Sequence, residues 1–166
     1  MANTHIPQLS QEDAAALPIK WVIKAKSNES SSEYEARLHQ HLEDGSIGIN
    51  FGHYQELPSN VTDEHIVEAE RQMVEVEQME TSNKKLSRNM LSCFRNDIKS
   101  GDYFIIGQGA TGCRYVAQIE SGYYYQPRPE DKGWAMHRRR MCNVRRLPEG
   151  FTRKYFKPTL GRYNPL

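Results

Sequence analysis

The sequence predicts an α+β fold in which helices flank a curled, mainly antiparallel sheet. Three observations carry this reading. Residues 98–147, IKSGDYFIIGQGATGCRYVAQIESGYYYQPRPEDKGWAMHRRRMCNVRRL, alternate apolar runs with turn residues. Tyr103, Ile105 and then Tyr115, Ala117 and Ile119 recur at a period near two, as in strands with one face inward. Upstream, a strand pattern at IKWVIKA and another at SIGINF enclose a short amphipathic helix, and a long helical stretch joins them to the C-terminal segment.

In chain order, residues 1–17 lack sustained periodicity and read as an arm or a short helix over Asp13 to Leu17. Pro18 introduces a strand from Ile19 to Ala25. Ser30 to Ser32 are candidate caps of a helix with Tyr34, Leu38 and Leu42 on one face, which Gly45 ends. Ser46 to Phe51 is the second strand. Thr62, Asp63 and Glu64 open a helix carrying Ile66, Ala69, Met73 and Val76 to about Glu80, and Ser82 opens a second that runs through Leu86, Met90 and Phe94 to Gly101. Strands then follow from Asp102 to Ile106 and from Arg114 to Glu120, with a break at Ser121-Gly122, an aromatic run, and a polar loop where Pro127 and Pro129 force the chain out of the sheet. A basic strand ends the segment at Leu147.

A chain of 166 residues fits one domain with a single core. It divides into an arm over 1–17, a domain over 18–150 with a helical insert at about 62–98, and a tail or linker over 151–166. No apolar run approaches the roughly 20 residues that cross a bilayer, and the N-terminal residues lack a basic and an apolar region of the secretory kind. Cys93, Cys113 and Cys142 are odd in number and form no C-x-x-C pair, so reduced thiols in a cytoplasmic protein are expected. The net charge of +1 conceals an asymmetry: residues 1–83 hold 5 Lys/Arg against 15 Asp/Glu, and residues 84–166 hold 17 against 6. Such a basic half can present a face to a polyanion, or the two halves can attract each other within the fold.

Gly107-Gln-Gly109-Ala-Thr-Gly112 satisfies the dinucleotide fingerprint, but the β pattern after it offers no helix N-terminus to a pyrophosphate, so a hairpin turn is the better reading. The run His137-Arg138-Arg139-Arg140 places Arg138 and Arg140 on one face of a strand and His137 and Arg139 on the other; phosphate contact and a solvated edge strand both fit it. Catalysis finds little support. The six histidines form no H-E-x-x-H, and His39 and His41 point about 160° apart on a helix. No Ser/His/Asp or Cys/His order stands out, which favours a binding module over an enzyme.

Ile98-Lys99-Ser100-Gly101-Asp102, Gly122-Tyr123-Tyr124-Tyr125 and His137-Arg138-Arg139, in this order, resemble the second half of the PUA-like superfamily. The branch resembled is that of the EVE-like and YTH-like readers of modification-dependent restriction systems. WVIKAKS, a helix, and GINFG similarly resemble the first half. The resemblance implies a curled mixed β-barrel flanked by helices that binds DNA and flips one modified, methylated base into an aromatic pocket. It implies a role as the recognition module of a restriction or phage-defence system, beside a nuclease or NTPase domain or subunit. RNA is the alternative ligand, and an enzyme or an adaptor using the acidic helix the alternative function.

On that resemblance the pocket takes Ser27, Asn28, Asn50, Phe51, Tyr123 and Tyr125. Trp134, in a polar loop, is a candidate wedge or lid. Phe51 stands where relatives often carry Trp; it keeps a π-face without the indole donor, and an ordinary core aromatic is its other reading. The nucleic-acid backbone falls to Arg128, Lys132, His137, Arg138, Arg139, Arg140, Arg145 and Arg146. No cofactor, metal or catalytic residue is expected.

Overall fold

A computed structural model describes residues 5–24, 31–49, 56–77, 92–107, 113–126 and 137–151. Its elements are α1 (Gln11–Ala16), β1 (Ile19–Lys24), α2 (Ser31–Asp44), β2 (Ser46–Ile49), α3 (Asp63–Glu77), a π-helical turn (Cys93–Asp97), β3 (Tyr103–Gly107), β4 (Cys113–Tyr125) and β5 (His137–Arg146). The helix ends follow local chemistry. The Ser10 side chain accepts the Asp13 N–H at the start of α1, and Gly45 after α2 adopts φ +61°, the left-handed conformation that favours glycine. Of the predicted helix from Ser82, residues 82–91 lie outside the described residues, as does most of the glycine turn.

The five strands form one mixed sheet in the order β1-β3-β4-β5-β2. β1 runs parallel to β3, and the other three pairings are antiparallel. β1 and β2 are the two edges of this described sheet, which is neither closed nor strongly curled. The expected barrel is therefore not what the described residues build. They show an open α+β sheet.

The expectation of one inward face also needs correcting. Tyr115, Ala117 and Ile119 join Phe104 and Ile106 in a core with Leu38 of α2, Phe94 of the π-helical turn, Leu57 and Ile98. Ile105 and Val116 point the other way, into a second cluster with Ala14, Leu147 and Phe151. Central strands are thus buried on both faces, as their near-continuous apolar sequence allows. The N-terminal arm helps to cover the second face: the Leu9 N–H donates to Arg146 O at 2.9 Å, and the Arg146 N–H to Pro7 O at 2.8 Å.

The predicted break at Ser121-Gly122 is a bulge inside one 13-residue strand. Register jumps from Ile119↔Met141 to Tyr123↔Arg139, so β4 carries extra residues there. The Ser121 hydroxyl accepts the Arg140 N–H at 2.9 Å in place of a ladder carbonyl. A second irregularity involves Asn143, at φ 51°, a conformation asparagine tolerates better than most residues; its side-chain amide donates to Gln118 at 2.9 Å.

Two buried polar groups lock the layers. Asp102, ahead of β3, accepts from Lys20 Nζ at 2.9 Å, the Trp21 indole N–H at 3.0 Å and the Lys99 N–H at 2.9 Å. Burial alone would raise its pKa, but the hydrogen bonds from Trp21, Lys20 and Lys99 prevail and hold it below its ordinary 3.8. Arg139 of β5 donates from Nε and Nη2 to Phe94 O at 2.8 and 2.6 Å, and from Nη2 to Arg95 O at 3.0 Å. A π-helical turn leaves carbonyls without a continuing helix, and this guanidinium satisfies two of them.

Asp102→Asn is expected to cost about 2–3 kcal/mol at neutral pH, the range for losing charge-assisted hydrogen bonds to a buried carboxylate. Because the folded-state pKa is depressed, this stability is complete above the ordinary carboxylate value and disappears as pH falls through the lower folded one. Urea unfolding of both proteins between pH 7 and pH 2 should show the gap closing in acid. Arg139→Lys keeps the charge but loses the planar fork, and should lower stability by about 2–4 kcal/mol in the same assay.

Candidate nucleic-acid interface

The candidate side chains of β5 divide by depth. His137, Arg138 and Arg139 are 0%, 1% and 3% exposed, so strand alternation does not present either arginine to solvent. Arg138 forms an ion pair with Asp44 at 3.0 Å and donates to the Ser46 hydroxyl at 3.0 Å. Arg139 is held by the π-helical turn, with its guanidinium 5.6 Å from the Phe94 ring. Burial, and then the charge of Arg95, lower the Arg139 pKa. These two arginines, expected as backbone contacts, are committed to protein partners because both faces of β5 are covered at this end. Arg140 and Arg146 are exposed and Arg145 is half-buried.

Tyr123 and Tyr125 lie on the same face as His137, since Tyr125 pairs with His137 and Tyr123 with Arg139. The Tyr123 ring stacks on His137 at 5.8 Å between centroids, and the Tyr125 ring lies tilted at 5.4 Å. The Leu57 N–H donates to the Tyr123 hydroxyl at 2.9 Å, and that hydroxyl is 2.8 Å from His137 Nδ1. Burial, opposed in part by the Leu57 hydrogen bond, pushes the Tyr123 phenol up to about 12, and burial also raises Tyr125. Both rings are neutral at physiological pH. The three rings sit where β4 ends and β5 begins. Ser27, Asn28, Asn50, Phe51, Arg128, Lys132 and Trp134 lie outside the described residues.

Arg95 is the residue that sequence reasoning missed. It falls in a helical pattern whose buried face is marked by its neighbour Phe94, and nothing in that pattern gives it a partner. The structure lays its guanidinium 4.7 Å from the centre of the Tyr123 ring, with Nε donating to Leu57 O at 3.2 Å. The sole sequence signal is a cation directly after a core aromatic and shortly before the Gly101-Asp102 turn, which does not say where the side chain goes.

The thiol of Cys93 is buried, which together with the charge of Asp97 pushes it up to about 12; it is a poor nucleophile there. Among the described residues, no three His, Cys, Asp or Glu side chains gather as a metal set would, and no helix is long and apolar enough to cross a membrane.

No curated protein and no solved structure matches the chain. Residues 21–145, which run from within β1 to within β5, match a family described as Domain of unknown function (DUF8426), and the chain belongs to that family.

Proposed function

We propose that this protein is a reader of nucleic acid carrying a modified base, with DNA as the preferred ligand, and that it performs no chemistry on it. The observation that carries the reading is the grouping of Tyr123, Tyr125 and His137 at one end of β4 and β5, within the chain half that holds 17 Lys/Arg against 6 Asp/Glu. Aromatic rings take up an unstacked base through their π-faces, and arginines outside the core attract the phosphate backbone. Tyr125, which is half-buried at the end of β4, is the ring assigned to meet a base on this reading. Tyr123 and His137 serve as its support, because their polar atoms already bond to each other.

Arg140, Arg145 and Arg146 are the backbone contacts on this reading, without Arg138 and Arg139. The finer assignment to a PUA-like fold of the EVE/YTH type belongs to the same proposal, as do a cytoplasmic location and a place beside a nuclease or NTPase in a restriction or phage-defence system. The motifs Gly122-Tyr123-Tyr124-Tyr125 and His137-Arg138-Arg139 support it.

A panel of duplexes and RNAs that differ in one methylated base tests the reading. One modified DNA should bind about tenfold or more tightly than its unmodified counterpart, the scale of one discriminated position, and should be recovered chemically unchanged. Absence of binding at low salt, or recovery of a cleaved or deaminated strand, would end the proposal, and preference for the RNA series would reassign the ligand. Tyr125→Ala should remove most of the discrimination while leaving nonspecific affinity nearly intact. Replacing Arg140, Arg145 and Arg146 together by Ala should weaken every duplex alike. It should also flatten the dependence of log K on log salt by about 0.9 for each phosphate that is no longer neutralised.

A further inference from the structure

Arg95 and Arg139 place two guanidinium groups on one short turn, and neither makes an ion pair with a carboxylate among the described residues. Arg139 is buried, and its hydrogen-bond partners are carbonyls: Phe94 O, Arg95 O and, at 3.5 Å, Ser121 O. Carbonyl oxygens satisfy the N–H donors without cancelling the unit charge, which Asp102 offsets in part through space while it is itself held by Lys20. Arg95 lies next to it and is half exposed. Its Nε is taken by Leu57 O, and the Tyr123 ring supports its plane. That leaves the edge formed by Nη1 and Nη2, where no hydrogen bond is made among the described residues.

A guanidinium fixed at Nε and stacked on an aromatic ring has lost most of its rotamer freedom before any ligand arrives. Its remaining edge matches the oxygen pair of a phosphate, which accepts two parallel N–H bonds. The nearby acidic residues do not occupy it. Asp102 is engaged by Lys20, Trp21 and Lys99, and Asp97 and Glu56 are exposed and form no ion pair with Arg95 among the described residues. The aromatic group of Tyr123, His137 and Tyr125 begins at the ring beneath the guanidinium, so one cation and one stack adjoin as the phosphate and base of a nucleotide do.

We infer that Arg95 is a phosphate-binding residue whose ligand is a phosphodiester of the bound strand, with the buried charge of Arg139 raising the local positive potential behind it. The identity of the phosphate as part of a nucleic acid rests on the function proposed above; the anion site itself rests on the geometry of Arg95.

The full chain, together with Arg95→Gln and Arg95→Lys, tests this in two arms. Titration of the wild type with inorganic pyrophosphate should move the Arg95 Nε–H and Leu57 amide signals saturably in a nitrogen-edited proton spectrum, and the Gln variant should lose the response at Leu57. In oligonucleotide binding, Arg95→Gln should lower affinity about fivefold or more for all sequences and reduce the salt slope by about 0.9 on duplex DNA. Arg95→Lys should restore the slope but not the full affinity, since it supplies charge without the fork. If wild type binds oligonucleotides and Arg95→Gln keeps both affinity and slope, the assignment of Arg95 is overturned. It is equally overturned if pyrophosphate leaves the wild-type Arg95 and Leu57 signals unmoved, a result that needs no variant to fold. A pyrophosphate response without oligonucleotide binding would uphold the anion site and overturn the nucleic-acid reading.

Discussion

The fold depends on one desolvated cation. Removing a guanidinium from water costs several kcal/mol unless its donors are satisfied, and Arg139 satisfies them on elements well apart in sequence: the π-helical turn through Phe94 O and Arg95 O, and the β4 bulge through Ser121 O. The consequence spreads outward. Phe94 is held in the main core and Cys93 is buried with it. Arg95, one residue on, is directed over Tyr123. In the π-helical turn the Ile98 N–H reaches back five residues to Cys93 O at 3.1 Å, and the Phe94 and Arg95 carbonyls of the same turn accept from Arg139.

The bulges in β4 and β5 perform a related task. From Ile119↔Met141, a regular antiparallel pair would set Tyr123 opposite His137. The two extra residues between Ile119 and Tyr123 reset the pairing to Tyr123↔Arg139 and Tyr125↔His137; because the shift is even, the alternation keeps its parity and Tyr123 packs on the same core as Tyr115, Ala117 and Ile119. Ser121 stabilises the reset by giving the Arg140 N–H a partner. Bulges are common next to sites, and His137 contacts both the Tyr123 and the Tyr125 rings beside this one.

Much of the fold was legible in the sequence. All five strands, the helix before Gly45 and the helix after Thr62 follow from periodicity, caps and glycine. What escaped was decided by contacts distant in sequence. Strand alternation assigns Arg138 and Arg139 to opposite faces but cannot say that both faces are covered. Asp44, 94 positions away, covers one, and Phe94, 45 positions away, covers the other. The same limit hid the second core behind Ile105 and Val116, and it hid Arg95, whose direction is set by Leu57 and Tyr123. Of the candidate site, Tyr123, Tyr125 and His137 do come together, while Arg138 and Arg139 turn inward.

The opposite charge of the two chain halves offered two uses, attraction within the fold and attraction of a polyanion, and they need not compete. Arg138 with Asp44 and Arg114 with Glu35 each join a cation of the basic half to a carboxylate of the acidic half, whereas Lys20 with Asp102 joins the halves with the signs reversed. Only the first and third of these bury a partner deeply, so the exposed Arg114 pair contributes little on its own. Internal pairing thus consumes Arg138 from the basic strand and hydrogen bonding consumes Arg139, leaving Arg140, Arg145 and Arg146 at the far part of β5 and Arg95 beside the rings. A polyanion would therefore meet separated cations rather than a continuous stripe. Separated cations hold a strand at a few points and contribute modest affinity, which leaves more of the binding energy to whatever the aromatic group selects. For the function proposed above, a reader that must ignore most of a genome would be better served by that division than by a uniformly basic face.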